Sequence, residues 1–154
     1  MIDSPFINPP IIKGDIMLTT SIVPAQERLT FLPSITKHFS EFEATLFALA
    51  EHFSKEYNGG YWHFVSLDNG GKFVYPECWD ESIRALNPYN QTDVTLSSEG
   101  FGICITLFAL GRFNEYAHDN DDVEENQRLY TLYHQLRDYA IEHKDSDCIL
   151  EFID

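Results

Sequence analysis

Apolar residues at steps of three and four mark the clearest element of this chain. Phe39, Phe42, Leu46, Leu49, Phe53 and Tyr57 lie on one helical stripe, with Glu41, Glu43, Glu51, Lys55 and Glu56 on the rest. The pattern predicts a helix from about Ser40 to Tyr57. Ser40 and Glu43 have the spacing of a capping box, and Asn58-Gly59-Gly60 is expected to end the helix. A second helix is expected from about Ser98 to Ala117. Ile103, Cys104, Ile105, Leu107, Phe108, Ala109, Leu110 and Phe113 make it apolar almost all round, so it should be the buried core helix. Gly102 and Gly111 cost that helix roughly 1 kcal/mol each, which close packing would justify. A third helix is predicted from about Val123 to His143, with Leu129, Leu132, Tyr133, Leu136, Tyr139 and Ala140 inward. Asp122, Glu124 and Glu125 suit its positive end. Cys148, Ile149, Phe152 and Ile153 suggest a last short apolar element.

Between the first two helices the period falls to two. Tyr61 to Leu67 and Lys72 to Tyr75, joined by Asp68-Asn69-Gly70-Gly71, read as a hairpin. Ser82 to Leu86 and Thr92 to Leu96 read as further strands around the turn Asn87-Pro88-Tyr89-Asn90. Turns this short cannot make parallel crossovers, so an antiparallel meander is expected. The predicted class is α+β: a small meander of three or four strands packed with three main helices, the second one central. Residues 1–22, broken by Pro5, Pro9, Pro10 and Gly14, read as an N-terminal arm that Ile11, Ile12, Ile16 and Leu18 could pin to the body. Residues 23–154 read as one domain, in which Pro24 starts a short helix and Pro33 stops it.

Composition narrows the function. The 154 residues are 44% hydrophobic and 14% aromatic, enough for a sizeable core. With 25 acidic and 10 basic side chains the formal charge is −15. This disfavours direct nucleic-acid binding and anionic membrane surfaces, both of which recruit cations. No run approaches the length of a membrane span. Three cysteines, far apart and without a CxxC, are expected to be reduced thiols in a cytoplasmic protein.

Few side chains propose chemistry. The glycine pairs sit at turns and open no helix, so they are not phosphate cradles. Cys104 falls inside the apolar helix as an inert thiol, and Cys78 has acidic neighbours that disfavour its thiolate. The histidines His38, His52, His63, His118, His134 and His143 form no i,i+4 ligand pair. Tyr61, Trp62, Phe64, Phe73, Tyr75 and Trp79 could stack bases but lack a basic groove. No catalytic residue, cofactor or metal site is therefore expected. Charge is the uneven feature: residues 77–154 hold 17 acidic and 5 basic side chains, against 8 and 5 before them. Asp119, Asp121, Asp122, Glu124 and Glu125 form the candidate partner-binding face, able to steer toward a basic surface. The same residues also suit a solvated loop and helix start.

Several runs carry a resemblance. Tyr57-Asn58-Gly59-Gly60-Tyr61-Trp62-His63-Phe64 and Leu67-Asp68-Asn69-Gly70-Gly71-Lys72-Phe73 resemble the antirestriction proteins of the ArdB/KlcA family. Arg28 to Pro33, Thr106 to Gly111, Tyr133 to Ala140 and the final Ile153-Asp154 agree in order. The resemblance runs from about residue 22 onward. It implies a small α+β protein of plasmids and other mobile elements. Such a protein relieves cleavage by type I restriction–modification enzymes while largely sparing modification, with no cofactor. The implied partner is the type I restriction endonuclease complex or an associated host factor. The alternative is an acidic DNA mimic competing at the methylase–specificity core, although acids gathered in one half do not resemble an elongated mimic.

Overall fold

The computed structural model describes residues 18–78 and 81–154. Elements follow in the order β1 Thr20–Ile22, a 3₁₀ turn Ala25–Glu27, α1 Arg28–Ile35, α2 Phe39–Phe53, β2 Trp62–Leu67 and β3 Lys72–Pro76. Then come β4 Ile83–Asn87, β5 Thr92–Leu96, α3 Ser98–Asp119, α4 Val123–Glu142 and α5 Ser146–Ile153. The class is α+β, as the hydrophobic pattern predicts, and every strand pair is antiparallel.

The strands lie in two sheets, β1-β2-β3 and β4-β5. The division has a physical cause at the outer edge of β3, where α3 lies instead of a fourth strand. Val74 N–H donates to Thr106 Oγ1 at 3.2 Å, and that hydroxyl donates to Gly102 O at 2.8 Å. A helix thus covers the edge that β4 would otherwise extend. Gly102 makes the approach possible, because a Cβ there would stand 2.2 Å from Tyr75 Cβ and 2.3 Å from Val74 O. The close packing expected of Gly102 is therefore present. Gly111 differs: a Cβ there would meet only Tyr133 Cε2, at 3.9 Å.

α3 is the central helix. Phe101, Ile103, Ile105, Leu107 and Leu110 are all buried, and the core extends from Val23 to Phe152. Ser97 caps α3, its hydroxyl accepting from Gly100 N–H at 3.0 Å. The hairpin turn docks on α4 by a reciprocal pair: Asn69 Nδ2 donates to Gln135 O at 3.0 Å, and Gln135 Nε2 to Asn69 O at 2.7 Å. The β4–β5 turn closes α5 in the same manner. Asn87 Nδ2 donates to Phe152 O at 2.7 Å and Thr92 Oγ1 to Glu151 O at 3.2 Å, satisfying carbonyls that a helix end leaves open.

Four local expectations are corrected. Thr20–Ile22, read as part of the arm, pairs with β2 so that Ser21 faces Ser66. Three exposed residues carry too little alternation to announce a strand. Leu18 packs against the core, while residues 1–17, including Ile11, Ile12 and Ile16, lie outside the described residues. Pro33 sits inside α1 rather than ending it. The bond it forfeits would go to the carbonyl of Leu29, on the exposed first turn, where water can substitute. Ser40 is within α2 and does not cap it. α2 stops at Phe53 rather than Tyr57, because Ser54 leaves the helical path. Its hydroxyl donates to Arg84 O at 2.7 Å and accepts from Glu56 N–H at 3.2 Å, an alternative to continuing the ladder. Among the described residues no helix is long and apolar enough to cross a membrane.

Candidate functional site

The acidic run occupies the corner between α3 and α4, and the turn explains much of its sequence. Asp121 has φ 55°, in the left-handed region that Asp tolerates better than most residues. Asp122 N–H reaches Ala117 O at 2.9 Å and Asp121 N–H reaches His118 O at 3.1 Å, closing α3 with a Schellman motif. Asp122 then caps α4, its carboxylate accepting from Glu125 N–H at 3.3 Å. Asn114 and Asn126 exchange side-chain to backbone bonds of 2.8 and 3.1 Å and hold the two helices together.

The corner divides the five predicted residues. Glu125 is 4% exposed, so it is corrected from a partner-facing acid to an internal one. It accepts from Thr36 Oγ1 and from Lys37 N–H at 3.1 Å, and so anchors the α1–α2 connection to α4. Asp122 is half-buried and paired with Lys37 Nζ. That hydrogen bond holds the Asp122 carboxyl below its usual range and raises the Lys37 ammonium. Asp119, Asp121 and Glu124 remain exposed, with Glu115 alongside. Tyr116, Val123 and Tyr130 are 57%, 78% and 53% exposed on the same two helices. No motif or charge run marks these three in the sequence. Their signal was positional: each stands off the buried stripe of its helix.

The other candidates are committed elsewhere. Burial pushes the Cys104 thiol well up, and burial also raises Cys148. Cys78 is half-buried, its thiol 3.7 Å from Pro76 O. Trp62 and Phe73 are core residues, and the Arg28 guanidinium sits 4.7 Å from the centroid of Tyr61. Trp79 lies outside the described residues. Among the described residues no three His, Cys, Asp or Glu side chains are gathered to hold a metal.

His143 is the one buried histidine among the described residues. Buried at the end of α4, its Nε2 lies 2.9 Å from Glu99 Oε1, which also accepts from Tyr139 OH at 3.1 Å. Asp145 N–H donates to His143 Nδ1 at 3.0 Å, and Ser97 Oγ donates to Asp145 Oδ2 at 2.6 Å. Ser, His and Asp stand close together here, yet no triad forms. The serine proton goes to the aspartate, and the imidazole nitrogen that would accept it is already bonded to a backbone N–H. The assembly is a clasp between the start of α3 and the α4–α5 turn. The His143 bond, aided by Tyr139, holds the Glu99 carboxyl below its ordinary value of 4.5. A depressed carboxyl stabilises the fold above that value, and the contribution is lost as pH falls through its lowered folded value. Thermal midpoints measured from pH 6 downward should therefore fall, and Glu99→Gln should flatten the fall. An equally steep fall in the variant would remove Glu99 as its source.

Comparison with known proteins agrees with this architecture. A family model described as antirestriction protein matches residues 55–154. The chain is 32% identical to antirestriction protein KlcA of Escherichia coli over 139 residues, 89% of this chain and 95% of that protein. It is 33% identical over 149 residues to the uncharacterized protein YafX of Escherichia coli (strain K12), covering 94% and 93% of the two chains. A solved structure superimposes with a TM-score of 0.79 at 31% identity, over 90% of this chain and 96% of that one. It belongs to work describing the KlcA and ArdB proteins as a novel fold with antirestriction activity against type I DNA restriction systems in vivo but not in vitro. The chain belongs to the antirestriction protein family.

Proposed function

We propose that this protein inhibits DNA cleavage by type I restriction–modification enzymes in the cytoplasm, protecting incoming mobile-element DNA, and that it works by binding rather than catalysis. The observation that carries the reading is likeness over nearly the whole length to the KlcA/ArdB structure, whose proteins act on type I systems in vivo. That those proteins are inactive in vitro favours a target that includes a host component lost on purification. The partner is then the type I complex as it exists in the cell, or a factor associated with it. Binding suits the chemistry of the described residues, in which Ser97, His143 and Asp145 are locked in a clasp and Cys104 is buried. The exposed acids Asp119, Asp121 and Glu124, with Tyr116, Val123 and Tyr130 among them, supply charge and contact area to a basic protein surface. A DNA mimic is less well served, because Glu125 is internal and Asp122 is neutralised by Lys37.

The test is plating of unmodified phage on a host with a type I system, with methylation of the survivors followed in parallel. Plating should rise when the chain is expressed, with modification retained. Unchanged plating would end the antirestriction reading, and loss of methylation would favour mimicry.

A further inference from the structure

Gly111 has no structural reason to be glycine. It lies in the interior of α3, where glycine is disfavoured, and its φ is not positive. Nothing presses on it, for its missing Cβ would touch only Tyr133 Cε2, at the ordinary distance of 3.9 Å. What lies above it is an open groove of about 410 Å³, within the size range of ligand pockets. Leu107, Phe108, Tyr133 and Ile153 line it, Tyr89 stands 67% exposed, and Arg112 and Glu115 complete the lining. Arg112 is exposed and has no hydrogen-bond or ion-pair partner among the described residues, in a chain of charge −15. Glu115 belongs both to this groove and to the acidic corner one turn further along α3.

We infer that the groove over Gly111 is an anchor site for the target protein, receiving an apolar side chain that stands beside a carboxylate. This rests on the antirestriction reading above and specifies how the partner is held. The apolar wall fits the anchor, and the unpaired Arg112 fits the acid. Continuity through Glu115 places the site on the surface that meets the partner's basic groups. A bulky side chain at 111 would occupy the groove itself, whereas the single methyl of alanine would leave most of it open.

The experiment compares the full chain with Gly111→Ala, Gly111→Phe and Arg112→Glu in the phage-plating assay, with thermal melts and sizing of each purified protein. Gly111→Ala should melt no lower than the parent and keep most protection. Gly111→Phe and Arg112→Glu should melt within a few degrees of the parent and protect at least about tenfold less well, as loss of an interface anchor does. Full protection by folded Gly111→Phe, or by Arg112→Glu should the phenylalanine variant fail to fold, overturns the groove while leaving the antirestriction reading intact. No protection by the parent overturns that reading and this inference with it. A concentration-dependent dimer of the parent that Gly111→Phe abolishes also overturns the inference, by making the occupant a second copy.

Discussion

Gly102→Val should leave no stably folded protein, and Gly102→Ala should cost at least about 4 kcal/mol of the roughly 5–15 kcal/mol that holds a domain together. Ordinary overpacking costs about 1–3 kcal/mol because side chains swing aside. Here they cannot. The added Cβ would stand 2.2 Å from Tyr75 Cβ, 2.3 Å from Val74 O and 2.5 Å from Tyr75 Cα, and two of those three atoms are β3 backbone. Relief requires α3 to lift from the strand. Lifting α3 breaks the bond from Val74 N–H to Thr106 Oγ1 and reopens the sheet edge. Denaturant melts and soluble yield measure the effect. Gly111→Ala, in the same helix, is the internal control and should gain up to about 1 kcal/mol from helix propensity. A Gly102→Ala variant melting within about 1 kcal/mol of the parent would mean that α3 does not lie against β3 as described.

The contrast between the two glycines marks what a single sequence can carry. Periodicity located α2, α3 and α4 because each buries one long stripe, and a stripe of four turns is hard to produce by chance. It also identified α3 as central, since Ile103 to Leu110 leaves no polar face. Yet both glycines carry the same local penalty, and only the fold distinguishes Gly102, pressed against β3, from Gly111, facing a groove. Ser40 and Ser54 teach the same lesson. Ser40 fits a capping box by spacing, but the chain enters α2 two residues earlier, with His38 at the cap. Ser54 ends the helix through Arg84 O, a partner 30 residues away that no local window contains. The split of the sheets was hidden for the same reason, since the edge of β3 is covered by Thr106.

The acidic corner was legible in composition but not in role. Charge density pointed to the run from Asp119 to Glu125. Only long-range contacts reveal that Glu125 turns inward to Thr36 and Lys37, and that Asp122 pairs with the Lys37 ammonium. The clasp around His143 was similarly invisible. It joins Ser97 and Glu99 to side chains 40 to 48 positions later, with no motif spacing.

Neutralising the exposed acids should separate binding from stability. The triple variant Asp119→Asn, Asp121→Asn, Glu124→Gln should melt within about 0.5 kcal/mol of the parent, as surface changes do. Asn is chosen at 121 because it accepts the left-handed φ of 55° that the α3–α4 turn imposes. Protection of unmodified phage should nevertheless fall by about 10- to 100-fold if the corner steers the protein to a basic surface. Glu125→Ala should behave in the opposite way. It leaves the Thr36 hydroxyl and Lys37 N–H without their acceptor in a site that excludes water, costing about 2–4 kcal/mol. Any protection it loses should follow the loss of folded protein and return when the cells are grown cooler. The triple variant should gain nothing from cooling, because its fold was never the defect. If it protects as well as the parent at every temperature, the corner's charges serve the turn and the caps alone. The partner must then be held by surfaces elsewhere, beginning with the groove over Gly111.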